Sequence, residues 1–284
     1  MKKQAAYIRR IEIQGLWGRK DISWELRPDV NILSGVNGIG KSTILNNSVK
    51  SLDALEGGLL SNGIKEGVRF SFYPEDATYI LYNVIRSFDR PLISSSLIEK
   101  IGNQNVRTEL DWQLYQLQRR YLDYQVNIGN RIIELLTSGR PEDAAKATEV
   151  SKAKTEFQDL IDELFCETGK KILRRSNEIL FDQDGDTLTP YQLSSGEKQM
   201  LVILLTVLVR NGQHGVLFMD EPEASLHIDW QQKLIGMIRQ LNPNLQLILT
   251  THSPAVIMDG WMDTVTEVSE IVTSTREEPK QDQS

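Results

Sequence analysis

Gly35-Val36-Asn37-Gly38-Ile39-Gly40-Lys41-Ser42 lies between a short apolar run and a helical pattern, and this octapeptide sets the architecture expected for the chain. It matches the pattern G-x-x-x-x-G-K-[ST] at each fixed position. Glycines let backbone N–H groups approach an anion closely, and the N-terminus of the following helix favours negative charge. The predicted nucleotide contacts are Gly35, Asn37, Gly38, Gly40, Lys41, Ser42 and Thr43.

A second apolar run, Val216–Met219, leads directly into Asp220 and Glu221. Such continuous apolar runs are typical of buried parallel strands, whose carboxyl ends hold ligands in open α/β sheets. We predict that Lys41 neutralises the β- and γ-phosphates of ATP and that Ser42 and Asp220 hold Mg²⁺. Glu221 is then predicted to orient or deprotonate the attacking water.

The remaining pattern predicts an α/β fold of the P-loop NTPase class with N-terminal strands and an inserted helical hairpin. Apolar residues from Val106 to Leu135 recur every three or four positions, which predicts a helix of about 30 residues. A second helical pattern follows the turn at Ser138–Pro141 and continues to Ile172. We expect one domain over 1–272 with the insertion at about 104–178, and a polar, disordered tail at 273–284.

Composition narrows the class of protein. The chain has 284 residues, 40% of them hydrophobic, and a net charge of −7. No apolar stretch approaches the roughly 20 residues of a membrane-spanning helix, no secretory signal is evident, and Cys166 has no second cysteine to pair with. We expect a cytoplasmic protein without a membrane segment, whose acidic balance disfavours a broad nucleic-acid surface.

Two further segments identify a family resemblance. Leu193-Ser194-Ser195-Gly196-Glu197-Lys198-Gln199 closely resembles the signature motif of ABC-type ATPases, and Thr250-Thr251-His252-Ser253-Pro254 resembles their switch-histidine loop. The order of the four motifs also matches that family. The resemblance implies that Ser194 and Gly196 contact the γ-phosphate bound to a second subunit, so that two protomers sandwich ATP head-to-tail. It implies that His252 senses the γ-phosphate within its own subunit.

Other positions of that family are less easily matched. The resemblance implies that the loop Ala224–His227 crosses the dimer interface. The glutamine that ligates Mg²⁺ in the family has no clear counterpart among these motifs, and Gln104 is the candidate we name for it. Arg19 or Lys20 is expected to approach the nucleotide, because the N-terminal strand resembles that of the branch described next.

The string from Glu221 to Gln231 and the form of the signature resemble the RecF, SMC and overcoming-lysogenization-defect branch, the AAA ATPases of DNA repair and phage defence. With a lone cysteine we expect no zinc hook of the kind that some members have, and with so few residues after His252 we expect no nuclease domain. We therefore expect a separate effector protein, such as a nuclease, as partner.

Two alternatives stay open. One is the nucleotide-binding subunit of an ABC transporter, although the signature and the segment after Glu221 both differ from the transporter pattern. The other is a DNA-binding repair ATPase. For that function the candidate surface is the basic cluster of Lys170, Lys171, Arg174 and Arg175, predicted to lie on the returning helix with Lys170 and Arg174 on one face.

Overall fold

The computed structural model of the protein describes residues 2–56, 64–65, 67–86 and 105–275. Its strands are β1 (Tyr7–Leu16), β2 (Lys20–Glu25), β3 (Val30–Ser34), β4 (Ile64–Lys65), β5 (Val68–Tyr73), β6 (Tyr82–Arg86), β7 (Lys170–Ile172), β8 (Phe181–Gln183), β9 (Asp186–Leu188), β10 (Gly215–Asp220), β11 (Leu245–Thr250), β12 (Val265–Glu267) and β13 (Val272–Thr275). Its helices are α1 (Lys41–Glu56), α2 (Glu109–Thr137), α3 (Pro141–Leu164), α4 (Ser195–Leu208), α5 (Ile228–Leu241) and α6 (Pro254–Met258).

The first of two compact units combines Met1–Arg86, His214–Glu223 and Asn244–Ser284. At its centre is a five-stranded sheet of order β12-β3-β11-β10-β6 in which every neighbouring pair is parallel. All six residues of β11 are buried, as expected for a central strand of a parallel sheet. The carboxyl ends of β3, β11, β10 and β6 therefore share one edge.

An antiparallel sheet of order β13-β2-β1-β5-β4 completes this unit. Apolar side chains of both sheets and of α1 form one buried cluster. The amide of Gln246 in β11 joins the two sheets: its Oε1 accepts from Ile8 N at 2.9 Å, and its Nε2 donates to the carbonyl oxygens of Ile8 and Arg27 at 2.8 and 2.7 Å. The side chain is fully buried, so this contact fixes the sheets against each other without an unsatisfied amide.

The second unit combines Ser87–Gln213 and Ala224–Pro243. It contains the helical hairpin α2–α3, the helices α4 and α5, and a small antiparallel sheet of order β7-β8-β9. Thr108 caps α2 in a capping box with Asp111, whose carboxylate also accepts from Lys198 Nζ at 2.8 Å. This buried ion pair holds the start of the hairpin against the helix α4.

The predicted α/β class, the N-terminal antiparallel strands and the inserted helical hairpin are confirmed. Helix α2 has 29 residues, close to the expected length. The tail predicted from 273 is wrong for its first residues, because Val272–Thr275 pairs with β2; residues 276–284 lie outside the described residues.

The returning helix ends earlier than its apolar pattern predicted. Helix α3 ends at Leu164, and after a short 3-10 turn Gly169 adopts a φ of 68°, in the left-handed region that stops a helix. Lys170 then begins β7. The prediction that Lys170 and Arg174 share a helix face is therefore wrong.

Within the parts of the chain described above, no helix combines the length and the apolar character needed to cross a membrane.

Candidate functional site

The glycine loop connects β3 to α1. Gly35, Gly38 and Gly40 have φ angles of 149°, 79° and 112°, a region that strongly favours glycine. A Cβ atom at Gly40 would lie only 2.0 Å from Cη2 of Trp17, whereas a Cβ at Gly38 would meet nothing within 4 Å. The loop backbone thus has the open, positive-φ conformation of an anion cradle, and Asn37 is exposed on it.

Lys41, Ser42 and Thr43 form the start of α1, directly after the loop. The ammonium of Lys41 donates to Gly35 O at 2.8 Å and lies 2.8 Å from Nε2 of His252. Lys41 is buried, and burial lowers its pKa; the nearby carboxylates of Glu221, Asp220 and Glu223 act in the opposite direction. A buried cation whose direct partners are a carbonyl and an imidazole is well suited to receive a phosphate.

The hydroxyl of Ser42 meets the end of β10. Ser42 Oγ donates to Asp220 Oδ1 at 2.8 Å, and Thr250 Oγ1 donates to the same oxygen at 2.6 Å. Ser42 and Asp220 are 178 positions apart in the chain, so the parallel sheet and α1 bring them together. A hydroxyl and a carboxylate at hydrogen-bond distance fit Mg²⁺, which takes few protein oxygens and keeps water or phosphate as its other ligands.

Glu221 has a strained backbone, with a φ of 48°. Its N–H donates to both the carbonyl and the hydroxyl oxygen of Thr250, each at 3.1 Å, which holds this conformation. The side chain reaches His252, with 2.8 Å between Oε1 and Nε2. Since Nε2 of a neutral imidazole carries either a proton or a lone pair, His252 cannot donate to Glu221 and accept from Lys41 at the same time.

Glu223 is a site residue that the sequence analysis did not identify. It is only 7% exposed, and its Oε1 accepts from Thr251 Oγ1, from the backbone N–H of His252 at 3.0 Å and from that of Ser253 at 3.4 Å. The carboxylate therefore orients the loop that carries His252. Its position two residues after Glu221, within a string already assigned to a family, was the available signal.

The signature residues lie in the second unit. Ser194 is the exposed N-cap of α4, and its N–H and hydroxyl both donate to Glu197 Oε2 at 2.9 Å. A Cβ at Gly196 would lie 2.6 Å from the carbonyl oxygen of Ser225, so only glycine fits against the loop Ala224–His227. The signature and that loop are therefore adjacent.

Glu197 fixes the position of the signature through its hydrogen bonds to Ser194 and to residues that precede the signature in the chain. It is buried and bonded to Lys170 Nζ at 2.9 Å and to the Thr168 hydroxyl at 2.8 Å. Burial alone would raise the pKa of Glu197, but the hydrogen bonds from Lys170, Ser194 and Thr168 outweigh it and lower that pKa below its ordinary value. The carboxylate is thus held in its charged form.

Half of the basic cluster considered for DNA contact is neutralised by ion pairs. Lys170 pairs with Glu197, and Arg174 Nη2 lies 2.7 Å from Asp159 and 2.5 Å from Asp162. Lys171 and Arg175 are exposed. Two of the four cations therefore already have carboxylate partners within the same unit.

The structure brings the glycine loop, Lys41, Ser42, Asp220, Glu221 and His252 together in the first unit, at the carboxyl edge of the parallel sheet. Ser194 and Gly196 belong to the second unit. Arg19 lies in the turn between β1 and β2, and Lys20 begins β2, with its Nζ 5.9 Å from the ring centroid of Trp17. Gln104 lies outside the described residues.

Comparison with known proteins assigns the chain to a family. A family model described as "AAA domain, putative AbiEii toxin, Type IV TA system" matches residues 69–259. This range is more than half of the chain, and it includes Asp220, Glu221 and His252.

Three individual proteins are also similar. "Retron Ec83 probable ATPase" from Escherichia coli is 34% identical over 97 residues, which is 30% of this chain and 18% of the relative. "Septu protein PtuA" from Bacillus thuringiensis is 22% identical over 303 residues, covering 88% of this chain and 72% of the relative. A solved Smc head bound to the C-winged helix domain of ScpA is 14% identical with a TM-score of 0.48, covering 89% of this chain and 92% of that one. The chain thus spans less than a fifth of the retron ATPase.

Proposed function

Since this chain belongs to the AAA domain family whose model matches residues 69–259, we propose that it is an ATPase that dimerises head-to-tail around ATP and gates a partner protein. One observation carries the proposal. A glycine loop with positive-φ backbone, a buried lysine, a hydroxyl–carboxylate pair and a Glu–His pair all meet at one sheet edge, within hydrogen-bond distance of their neighbours.

The roles follow from the chemistry of each group. Lys41 exchanges its contacts with Gly35 and His252 for the β- and γ-phosphates, while the N–H groups of the loop surround them. Ser42 and Asp220 would hold Mg²⁺, which when bound neutralises charge on the phosphates. Most of the catalysis is positioning and charge stabilisation rather than covalent chemistry.

Glu221 is the residue we assign to the attacking water. In hydrolysis, a bond forms between the water oxygen and the γ-phosphorus, and the bond to the oxygen bridging the β- and γ-phosphates breaks. A water proton passes to the Glu221 carboxylate and then to the phosphate product. His252 contacts both Lys41 and the same carboxylate, so when Lys41 turns to the terminal phosphate, His252 loses that contact and keeps the one with Glu221.

The second subunit is proposed to complete the site with Ser194 and Gly196. Support comes from the exposed N-cap position of Ser194 on a helix of 14 residues, whose N-terminus favours an anion. The close fit of Gly196 against Ser225 supports an assignment of the loop Ala224–His227 to the same interface.

We propose anti-phage defence or DNA maintenance in bacteria as the setting, with a separate effector such as a nuclease as the partner. The resemblance to the defence and repair branch supports it, and so does the likeness to a probable ATPase of a retron and to the Septu protein PtuA.

The variant Glu221→Gln tests the catalytic assignment. Its amide still fits the site but cannot accept the water proton, so we expect ATP to bind, hydrolysis to fall by about 100-fold or more, and an ATP-bound dimer to accumulate. Phosphate release and light scattering with and without ATP measure these effects. Lys41→Ala is the contrasting variant, because it should lose ATP binding and stay monomeric.

Hydrolysis by Glu221→Gln at the wild-type rate would refute the role of Glu221. A mutant that binds ATP but scatters as a monomer would refute the head-to-tail dimer while leaving the nucleotide site intact.

A further inference from the structure

One lateral row of residues crosses four strands of the parallel sheet. Leu33 pairs in register with Thr250, Thr250 with Asp220, and Asp220 with Arg86 at the end of β6. In parallel strands, residues paired in this way direct their side chains to the same face of the sheet. The hydrogen bond from Thr250 Oγ1 to Asp220 Oδ1 at 2.6 Å shows which face it is.

Arg86 is therefore the next side chain of the row, one strand spacing or about 4.8 Å from Asp220. It is exposed. The Oδ1 of Asp220 is occupied by the hydroxyls of Ser42 and Thr250, at 2.8 and 2.6 Å. Among the described residues, no carboxylate forms an ion pair with Arg86, so its guanidinium is available to an anion at this edge.

The negative charge at the sheet edge is greater than Lys41 alone can neutralise, so a second cation would stabilise a bound triphosphate. Asp220, Glu221 and Glu223 act on Lys41, so three carboxylates surround one buried ammonium. A triphosphate adds further negative charge, which even a bound Mg²⁺ does not fully cancel. Lys41 approaches from the β3 side, and Arg86 stands on the opposite side, beyond β10.

The terminal phosphate is the group that Arg86 would meet. Glu221, assigned above to the water that attacks the γ-phosphorus, follows directly on β10, and His252, assigned to the terminal phosphate, follows β11 by two residues. Since β6 borders β10, a side chain extending from its carboxyl end reaches the β10 side of that group. The planar guanidinium also presents paired N–H donors that match two phosphate oxygens, which an ammonium does not.

We propose that Arg86 binds the terminal phosphate of ATP from the β6 side and stabilises the charge that develops on it during hydrolysis; this inference rests on the ATPase function proposed above. It makes Arg86 a catalytic residue and, together with His252, one of the groups that distinguish ATP from ADP. Charge-stabilising arginines in phosphoryl transfer typically contribute about 1,000-fold or more to turnover.

The test compares Arg86→Ala with wild type in the full chain, using calorimetric binding of ADP and of the non-hydrolysable analogue AMP-PNP with Mg²⁺, together with ATP turnover. We expect affinity for AMP-PNP to fall about tenfold, affinity for ADP to stay within about twofold, and turnover to fall about 1,000-fold or more. Arg86→Lys keeps the positive charge but loses the paired N–H donors of the guanidinium, so its AMP-PNP affinity and turnover should lie between those of wild type and Arg86→Ala.

Arg69→Ala is the matched control, because Arg69 is an exposed arginine on β5 whose nearest carboxylate, Glu12, lies 3.8 Å away. It should change none of these quantities. Equal loss of ADP and AMP-PNP binding in Arg86→Ala, or no loss of either, would overturn the inference. If Arg86→Ala does not fold by circular dichroism, the same comparison with Arg86→Lys decides. Wild-type protein that binds neither nucleotide would overturn the ATPase proposal itself.

Discussion

Gly40 offers a direct test of how the phosphate loop is built. Replacing it with alanine places a Cβ 2.0 Å from Cη2 and 2.6 Å from Cζ2 of Trp17, at a φ of 112°. Backbone strain of this kind costs about 1–3 kcal/mol, and overpacking costs about 1–3 kcal/mol more. The indole is 49% exposed and has room to swing away, so the steric part should be near its lower limit. We expect Gly40→Ala to lower the free energy of unfolding by about 2–4 kcal/mol.

A double-mutant cycle with Trp17→Ala separates the two contributions. Removing the indole eliminates the clash but leaves the strain, so Gly40→Ala should cost about 1 kcal/mol less in the Trp17→Ala background. Gly38→Ala is the control: its φ of 79° is also unfavourable for alanine, yet its Cβ meets nothing within 4 Å. Its cost should be the same in both backgrounds.

Urea unfolding followed by far-UV circular dichroism measures all six proteins without relying on tryptophan fluorescence. The reasoning fails if Gly40→Ala costs the same with and without Trp17, because the ring would then not lie against Gly40. It also fails if Gly40→Ala is as stable as wild type, since neither strain nor contact would then restrict this position.

Two further predictions concern the metal site and the signature. Ser42→Ala should weaken the apparent affinity for Mg²⁺ in ATP binding by about tenfold, because one of the two protein oxygens is lost. Titration of Mg²⁺ at fixed ATP measures this affinity, and an unchanged value would contradict the proposed metal site. Glu197→Gln should lower the free energy of unfolding by about 2–4 kcal/mol at neutral pH, since Lys170 is left without its buried partner. The lowered pKa of Glu197 means that its stabilisation is present above the ordinary value of about 4.3 and is lost as the pH falls through the folded-state pKa. The difference between wild type and Glu197→Gln should therefore shrink below about pH 4, and a constant difference in urea melts from pH 7 to about pH 3 would contradict this assignment.

Much of the fold followed from local pattern. Three features could be predicted because each depends only on residues close together in the chain. They are the glycine loop, the apolar runs of β10 and β11, and the apolar repeat of three or four residues along α2. The end of α3 could not. The apolar positions continue in helical register to Ile172, but the backbone of Gly169 takes a left-handed conformation that no periodicity records.

The same contrast applies to the site. Lys41 and Asp220 belong to motifs, whereas the roles of Thr250, Glu223 and Trp17 depend on contacts between segments far apart in the chain. Thr250 is bonded to Asp220 across 30 positions, and Glu223 to His252 across 29. Such contacts can be predicted only when the order of the strands in the sheet is known.

The order of strands also affects how the protein is made. Strand β11 lies between β3 and β10 in the sheet. In the chain, β3 comes early, β10 follows about 180 residues later, and β11 comes last of the three. During translation, β3 and the glycine loop emerge from the ribosome long before Thr250 and His252 do. The nucleotide site therefore cannot assemble on the nascent chain until β11 has been synthesised, and ATP cannot stabilise the early intermediates. Dependence on such long-range pairing slows folding and prolongs the exposure of the apolar strands, so newly made chains should rely on chaperones.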